Sequence, residues 1–588
     1  GGYLLGGTSQ FTNNPYGDLA VRGYQDQLNR TAQLNAGLEF DLGQLAQGLR
    51  FNTFLSFDIY NTFQTQLQND YAVYEPVYGI GANGEDSLYL NKIGDDNLSG
   101  TQSISNVSFY RRVGYYGLLS YDRSFGKDHS LSFSGLGYAD QLQEENAPQN
   151  YKNLHFGFRA NYMFKQKYIA ELSGAYTGSM VFDQSSRWGY SPALALGYVI
   201  SEEAFLKGNK LIDYLKLKAS AGILNTDMGI TNYNLSRTLF QTTNNFNYGD
   251  GQSNNNRLEI SNLGNPSLSF AKREEISAGF EALLGNSVWL EANYFLSNLT
   301  DMIGQQTNST PAYLGNLIPF TNFGTIREQG VEAGLQYEMK FGDLGVRLGG
   351  NMVYSVPRNV EIDEPVYDDE YLFRQGQVSD ARFGLVALGL FADSTEIVNH
   401  AVQTFGPVKP GDIKYEDLNG DGVINQNDQR NIGNSSARLQ YGLQLNLSFK
   451  GFELFALGSG QTGQTLYNNS AYFWVFGDRR YSEVVLNRWT PATAATATYP
   501  RLSATNSPNN FRNSTFWLRS NDGFRLNAVQ LTYNFPDQIA NKLNMSKLAI
   551  YVRGSNLLDI SANSELRLLN VGQAPQTRNF AGGLRVFF

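Results

Sequence analysis

The chain has 588 residues, a formal net charge of −9, 41% hydrophobic residues and no cysteine. The acidic balance argues against a nucleic-acid-binding surface, and the lack of cysteine excludes a disulfide scaffold or a thiolate metal site. A membrane-spanning helix needs roughly 18 apolar residues in a row, whereas the longest apolar run, 383–392, contains two glycines. Aromatic residues make up 13% and glycine occurs 60 times. This composition favours many strands joined by turns.

Alternation of apolar and polar residues is the dominant pattern along the chain. Alternate positions are apolar or aromatic, with Thr53 the one polar exception, in the segments 49–59, 288–294, 331–339, 439–449 and 548–552. A period of two places one set of side chains on each face of a sheet. Strands of about 10 residues are long enough to cross a bilayer when tilted, whereas the strands of soluble sandwiches usually have about 5–6 residues. The pattern therefore favours a membrane barrel with its apolar face towards lipid and its polar face towards a lumen.

Counting such segments predicts roughly 16 to 18 strands. The eighteen candidates centre near residues 33, 55, 74, 115, 136, 158, 173, 195, 218, 278, 294, 335, 350, 444, 456, 525, 551 and 584. The sequence predicts short turns at 283–287 and 340–343, and long loops at 225–265, 300–325, 356–437 and 464–512. Short turns at one end and long loops at the other are typical of outer-membrane barrels, in which the long loops are extracellular.

The last strand supports the same interpretation. Leu584, Val586 and Phe588 fall on one face, and the chain ends on an aromatic residue. This ending resembles the C-terminal signal by which outer-membrane strands are recognised for assembly. Because a free strand edge is very costly in hydrocarbon, such a sheet must close.

Ordered segments along nearly the whole chain resemble the SusC/RagA family of TonB-dependent outer-membrane transporters. The most specific segment is 409–424, which reads KPGDIKYEDLNGDGVI. The other matching segments are 13–16, 23–24, 168–171, 187–192, 197–205, 215–222, 263–268, 322–324, 330–332, 441–443, 450–452, 488–491 and 554–558. The resemblance implies an all-β fold, a transmembrane antiparallel β-barrel, with the chain supplying about 16–18 strands of a barrel of roughly 22.

The resemblance also implies a function and its partners. The family imports oligosaccharides or peptides across the outer membrane of Bacteroidota, which are Gram-negative bacteria, together with a SusD-like surface lipoprotein. Energy comes from TonB with ExbB and ExbD, acting on a plug domain and an N-terminal region. We expect the plug and the first strands to lie outside this chain, which begins Gly1-Gly2-Tyr3. A naturally truncated or split transporter, or one completed by another chain, is the alternative.

Within this frame we predict that residues 1–588 form a partial outer-membrane barrel in contact with lipid and lipopolysaccharide. Residues 356–437 would form a long extracellular loop region. It contains a segment, 417–428, that resembles a calcium-binding loop. We expect no enzymatic activity, because the spacing of the residues shows no Ser/His/Asp set, no P-loop and no pair of catalytic carboxylates.

The segment 417–428 carries oxygen donors at the positions that a calcium loop uses. The candidate ligands are Asp417, Asn419, Asp421, the carbonyl oxygen of Val423, and Asp428. Glycine stands at the sixth position, and an aspartate replaces the usual glutamate at the twelfth. The alternative is a turn rich in Asn, Asp and Gly that holds no ion and is stabilised by side-chain-to-backbone hydrogen bonds. Either structure would stiffen a long loop.

Two further groups are candidates for contact with a solute. Arg50, Asp58, Glu291, Glu332 and Glu338 should face the lumen, where they would line a solute path or simply hold water and a plug. The tryptophans Trp188, Trp474, Trp489 and Trp517 would stack on sugars, sit in membrane girdles or pack within loops. The substrate-binding residues and the solute cannot be named from the sequence.

Two other functions stay open at this stage. The chain could be a structural or accessory barrel subunit of a larger outer-membrane complex that has lost transport. It could instead be a soluble β-rich binding protein or adhesin, which the long alternating strands disfavour.

Overall fold

The computed structural model describes residues 4–80, 84–100, 102–145, 147, 149–230, 232–247, 254–477, 479, 481–571 and 573–588. Glycines 1 and 2 and Tyr3, residues 231 and 248–253 of the predicted loop 225–265, and residues 478 and 480 of the predicted loop 464–512 lie outside this described part. The structure is built mainly from β-strands, as the composition indicates.

The first part of the chain contains the strands β1 (Gly23–Asp41), β2 (Leu49–Gln68), β3 (Val73–Ile80), β4 (Asp86–Ile93), β5 (Gln102–Phe125), β6 (His129–Glu144), β7 (Tyr151–Phe164), β8 (Tyr168–Gly178), β9 (Trp188–Val199), β10 (Ile212–Thr226), β11 (Leu239–Asn247), β12 (Asn254–Asn262), β13 (Ala271–Leu284), β14 (Val288–Thr300), β15 (Ile303–Gln305), β16 (Phe320–Asn322), β17 (Thr325–Phe341) and β18 (Leu344–Glu361). The rest contains β19 (Ala381–Leu385), β20 (Ala387–Leu390), β21 (Val402–Gln403), β22 (Ile413–Tyr415), β23 (Val423–Ile424), β24 (Gln429–Asn434), β25 (Leu439–Phe449), β26 (Phe452–Thr462), β27 (Thr465–Tyr467), β28 (Leu518–Ser520), β29 (Gly523–Asn534), β30 (Lys547–Ser561) and β31 (Asn579–Phe587).

Helices are short throughout the described residues. The α-helices are α1 (Pro15–Ala20), α2 (Ser394–Val398), α3 (Asp537–Lys542) and α4 (Ser564–Leu569), and the 3₁₀ turns are Ile200–Glu202, Ala312–Leu317, Glu370–Leu372, Gln426–Asp428, Glu483–Asn487 and Thr515–Trp517. No helix in this part of the chain is long and apolar enough to cross a membrane.

Among the described residues, seventeen strands are members of a large antiparallel sheet, which confirms the predicted all-β antiparallel class and the predicted strand number. They are β1, β2, β5 to β10, β13, β14, β17, β18, β25, β26 and β29 to β31. All but one of the predicted strand centres fall within them. The exception is the candidate near residue 74.

The chain divides into two compact units. The first comprises Gly1–Arg123, Ser132–Phe158 and Ala175–Met180, and the second comprises Ser124–Leu131, Arg159–Gly174 and Val181–Phe588. Each unit is built on its own ladder of antiparallel strands.

In the first unit β1 pairs with β2 along its whole length, and β2 pairs in turn with β5. The predicted strand near residue 74 is wrong as a member of this sheet. It is β3, which forms a separate hairpin with β4 from Val73↔Ile93 to Ile80↔Asp86. Val73 is buried, and Tyr74 donates its backbone N–H to the carbonyl of Leu5. Period-two alternation is common to both kinds of strand, so it could not separate the hairpin from the sheet.

In the second unit β9 to β31 form a continuous series of antiparallel pairs: β9–β10, β10–β13, β13–β14, β14–β17, β17–β18, β18–β25, β25–β26, β26–β29, β29–β30 and β30–β31. Tight turns close one end of this ladder. At the first of them Gly285 and Asn286 adopt positive φ angles of 55° and 51°, a conformation that glycine and asparagine tolerate best. The other end carries the long connections, as the turn and loop pattern predicts.

One face of this ladder exposes large apolar side chains at alternate positions. In β17 these are Val331, Leu335 and Met339, with Leu335 45% exposed. The most deeply buried side chains of this unit lie instead in the connections, where Leu385, Ile413, Tyr415 and Ile424 have 1% or less of their surface exposed. A soluble protein rarely leaves so much apolar surface open. The wall of a membrane barrel does so because lipid covers it.

The connections 362–438 and 463–522 fold together around one apolar core, and we name residues 381–434 and 465–520 the loop module. Its core consists of Leu385, Phe405, Ile413, Tyr415, Ile424, Phe473, Val475, Val485, Tyr499 and Trp517. Both connections contribute to this core. The long loops are therefore folded structure in their own right.

The two faces of β17 should respond differently to an added charge. We expect Leu335→Arg in the complete protein to lower the free energy of unfolding in lipid vesicles by about 2–4 kcal/mol, because it places a guanidinium against the hydrocarbon. Gln336→Arg, on the opposite face, is the matched control and should have little effect. Equal losses in urea titrations of the two variants would contradict the assignment of the faces.

Candidate functional site: a charged cavity wall and a folded loop module

A cavity of about 690 Å³ opens on the polar face of β14, β17, β18, β25, β26 and β29, and we call it the wall cavity. Two predicted lumen residues, Glu291 and Glu332, line it together. The register of the β14–β17 pair, in which Asn293 stands opposite Glu332, brings these carboxylates to the same face. Neither forms an ion pair with another described residue, so one side of the wall cavity carries free negative charge.

The other side of the wall cavity carries positive charge. Arg525 on β29 and Arg567 on α4 line it, and both contact the buried carboxylate of Asp559. The Nη2 atom of Arg525 lies 3.0 Å from Oδ2 of Asp559, and that of Arg567 lies 3.5 Å from the same oxygen. The hydroxyl of Ser561 donates to the second carboxylate oxygen at 3.0 Å. Two guanidinium groups therefore share one carboxylate, which leaves a net positive charge there.

A second cavity of about 750 Å³ adjoins the wall cavity, because Asn293, Glu332 and Val353 line both. The charges around it are mostly satisfied locally. Lys216 and Lys218 lie 3.2 and 2.8 Å from the carboxylate of Glu281. Adjacent polar cavities of this size offer a wet path along the sheet face.

The other predicted lumen residues are not among the lining residues of these two cavities. Arg50 and Asp58 are on β2 in the first unit, where Asp58 stands opposite Arg112 of β5. Glu338 is near the short turns, and it accepts two hydrogen bonds from Arg347 at 3.0 and 2.9 Å. The structure therefore brings Glu291 and Glu332 together in the wall cavity, and the other three are not among its lining residues.

Three similar proteins of known name are all TonB-dependent receptors. No protein-family model matches the chain. The chain is 27% identical over 441 residues to the TonB-dependent receptor P26 of Formosa agariphila, an alignment that covers 72% of this chain and 42% of that protein. It is 23% identical over 647 residues to the TonB-dependent receptor P3 of the same organism, covering 100% of this chain and 61% of that protein. The TonB-dependent receptor SusC of Bacteroides thetaiotaomicron is 24% identical over 348 residues, covering 56% and 33%. The chain thus spans less than two thirds of the length of each relative.

Solved structures show the same fold. The structure of the RagAB peptide transporter matches with a TM-score of 0.74 at 17% identity, over 97% of this chain and 63% of that chain. The RagAB peptide importer in its "open-open" state also matches with a TM-score of 0.74, at 18% identity, over 98% and 62%. The chain is SusC/RagA-like. The predicted fold class, a transmembrane antiparallel β-barrel of the TonB-dependent receptor type, is confirmed.

Two of the SusC/RagA-like segments, 409–424 and 488–491, meet in the loop module. Gly411 has a positive φ of 87°, and a Cβ atom at this position would lie 2.5 Å from the ring of Trp489. Only glycine allows this close approach. The neighbouring Asp412 is completely buried, and its Oδ1 atom lies 2.8 Å from Nε of Arg501. The most distinctive sequence motif therefore corresponds to the centre of the folded loops.

Buried amide side chains tie the same two connections together. Gln403 donates to Oδ1 of Asn509 at 2.7 Å, and Asn509 donates to the carbonyl of Ile413 at 3.0 Å. Asn510 accepts the N–H of Ile413 at 2.8 Å and donates to Asp412 at 2.8 Å. Because every partner is buried, loss of any one leaves a polar group without water or a hydrogen bond.

The segment 417–428 is a compact turn in the structure. The two carboxylate oxygens of Asp417 accept the N–H groups of Gly420 and Gly422 at 2.8 and 2.9 Å. Those of the buried Asp428 accept from Leu418 and Asn425 at 2.8 and 2.7 Å. These are the side-chain-to-backbone hydrogen bonds that the ion-free interpretation requires. The oxygen atoms of this segment and their order along the chain would also suit calcium as ligands, so the calcium site stays a prediction.

The surroundings of this turn are electronegative. Burial, a hydrogen bond to Asp369 and the charges of Asp428 and Asp421 raise the pKa of Tyr371 to about 12. The phenol donates to the carbonyl of Asn427 at 2.7 Å. Across the described residues, however, no group of three or more His, Asp or Glu side chains is arranged to hold a metal ion.

The predicted tryptophans have different environments. Trp517 is buried in the loop-module core, where its indole N–H donates to the carbonyl of Asn510 at 2.8 Å. Trp474 packs against Trp517 with ring centroids 6.3 Å apart, and Trp489 packs over Gly411. Trp188 is 39% exposed at the start of β9. Three of the four tryptophans, Trp474, Trp489 and Trp517, therefore pack within the loops.

The sequence did not reveal Arg525, Asp559 and Arg567 as a cluster, nor the pair of Asp412 and Arg501. Asp412 and Arg501 are 89 positions apart, and no spacing rule connects them. The available signal was Asp412 itself, because it lies in the most distinctive family segment. A charged residue there, followed by the alternating Ile413 and Tyr415, is a candidate for a buried ion pair.

Removing one partner of that pair should loosen the loop module. We expect Asp412→Ala to destabilise the module by about 3 kcal/mol, the low end for a broken buried pair, because the buried Asn510 amide and the partly exposed Arg501 guanidinium both lose their carboxylate partner. Glu416→Ala is the matched control, because Glu416 lies 3.8 Å from Arg430 in an exposed pair that should contribute at most about 1 kcal/mol. Hydrogen exchange of the segments 401–415 and 507–517 measures the effect. Unchanged exchange in Asp412→Ala would refute the role of this pair.

Calcium should protect the segment 417–428 from proteolysis if the predicted site exists. We expect added calcium to slow cleavage within this segment in the complete protein, because ion binding stabilises the folded loop. Asp421→Ala should abolish that protection, and magnesium at the same concentration serves as the control. Cleavage that stays unchanged in excess calcium would leave the ion-free turn as the correct interpretation.

Proposed function

We propose that the chain forms the barrel portion of a SusC-like outer-membrane importer in a Gram-negative bacterium. The complete protein would take up oligosaccharides or peptides. A SusD-like surface lipoprotein would deliver the solute at the extracellular face, and the TonB–ExbB–ExbD system would supply energy through a region outside these residues.

The observation that carries this proposal is the contrast between the two faces of the second unit's ladder. One face is apolar and exposed, as at Leu335, and the other holds adjacent polar cavities of about 690 and 750 Å³. Lipid suits the first face and a hydrated solute suits the second. A purely structural barrel has no need of a polar face with cavities of this size.

The folded loop module supports the same function. A partner lipoprotein needs a defined surface, and connections with a common core and a buried polar network provide one. Similarity to the RagAB peptide transporter and to SusC makes peptides and oligosaccharides the solute classes to test first.

Deletion of the gene should abolish growth on the transported solute. We expect the deletion strain to fail on one class within a panel of glycans and peptides as sole nutrients, and to recover with the wild-type gene. Disruption of tonB should give the same defect, because uptake would depend on TonB. Growth that is unchanged on every member of the panel, or a growth defect that does not require TonB, would favour an accessory barrel instead.

A further inference from the structure

A third cavity lies where β27, β28, α4 and the start of β29 meet, and its volume is about 420 Å³. Arg519, Arg525 and Arg567 line it, so we call it the arginine cavity. Arg525 and Arg567 also line the wall cavity. The arginine cavity is therefore continuous, through these two side chains, with the polar face of the sheet.

The charges around the arginine cavity do not cancel. No Asp or Glu side chain is among its lining residues. Asp559 lies 2% exposed behind Arg525 and Arg567 and is shared between them. Arg519 forms no ion pair with any described residue, and the nearby Asp522 accepts the N–H of Gly463 at 2.7 Å. Three guanidinium groups against one carboxylate leave two positive charges without a partner.

The guanidinium of Arg567 is held in place by the fold. Gly523 has no side chain, and a Cβ atom there would lie 2.2 Å from Nη1 of Arg567. This Nη1 atom is buried and has no hydrogen-bond acceptor in the described part of the chain. Asn563, at the start of α4, donates to the carbonyl of Ser520 at 2.6 Å and fixes the helix against β28.

The rest of the lining suits a polar solute. Amide side chains predominate, and they can form hydrogen bonds with the hydroxyl or peptide groups of a solute. Aromatic side chains of the lining can pack against a sugar ring or an apolar side chain of the solute. The lining residues of these types are Asn468, Asn469, Asn521, Asn563, Asn570, Gln576, Tyr467 and Phe473.

We propose that the arginine cavity binds an oxyanion, a carboxylate or sulfate, of the imported solute. Guanidinium groups match planar or tetrahedral oxyanions with paired hydrogen bonds. The solute would then be acidic: either an oligosaccharide with uronate or sulfate groups, or a peptide with free carboxylates. This inference rests on the proposed import function and narrows its solute class.

Protection of Arg519 from chemical modification tests the site directly. The complete protein in detergent is treated with phenylglyoxal, and modification is quantified by mass spectrometry. The probes are inorganic sulfate, trigalacturonate and triglutamate, with maltotriose and the N-acetylated amide of trialanine as neutral controls. We expect at least one anionic probe to slow modification of Arg519 about tenfold and to leave Arg430, in the exposed pair with Glu416, unaffected.

The anionic probes also separate the two sources of oxyanion. Protection by trigalacturonate alone indicates an acidic glycan, and protection by triglutamate alone indicates an acidic peptide. Failure of all three anions to protect would overturn the proposal. Equal protection by a neutral control would overturn it as well, because the cavity would then bind solute without recognising charge.

Variants at Arg519 provide a second measurement. Arg519→Gln should weaken binding of the protecting anion about tenfold and reduce its salt dependence, whereas Arg519→Lys should retain part of the affinity. Since Arg519 makes no ion pair with a described residue, folding should be preserved, and Arg430→Gln is the matched control. Normal affinity in Arg519→Gln would refute the site. If the deletion strain still loses growth in that case, import stands and only the anion specificity fails.

Discussion

The backbone cannot leave its N–H and C=O groups unpaired in hydrocarbon, and most of the structure follows from this constraint. Each long strand of the second unit from β10 to β30 is paired on both sides, so its polar backbone groups are satisfied across the bilayer. Side chains are then free to differ between the faces. One face carries Val331, Leu335 and Met339, and the other carries Glu291, Glu332 and Arg525. Polar side chains on one face therefore do not disturb the backbone hydrogen bonds, and that face is available for a solute.

The loops solve a different physical problem. A barrel wall has no interior core, so long connections outside the membrane must supply their own. In the loop module this core is apolar, around Tyr415 and Trp517, but buried polar groups join its two connections. Apolar packing alone would let the two connections shift against each other. The hydrogen bonds and the ion pair of Asp412, Arg501 and Asn510 depend on direction and therefore fix one arrangement. This combination explains why a surface loop contains the most distinctive sequence segment of the chain.

Local patterns predicted the strands well and the sites poorly. Alternation and turn residues are encoded within about 10 neighbouring residues, so nearly every strand of the sheet could be placed, including the last one through Leu584 and Phe588. The segment near residue 74 carried the same pattern and belongs to a hairpin. Ion pairs such as Arg525 with Asp559 depend on which strands become neighbours, and the chain encodes this only through the complete fold. The candidate calcium loop could be proposed from the sequence because its oxygen ligands lie within twelve consecutive residues, and it stays a prediction because the same residues also build a turn without an ion.

We infer that the two faces of the sheet meet two different solvents, lipid on one side and water on the other. Because these 588 residues contain no cysteine, single cysteines can be introduced along β17 and tested in intact cells with a water-soluble maleimide. We expect labelling at positions 332, 336 and 338, on the face towards the aqueous lumen, and protection at 331, 335 and 339, on the face towards lipid. Labelling that shows no period of two along the strand would contradict it.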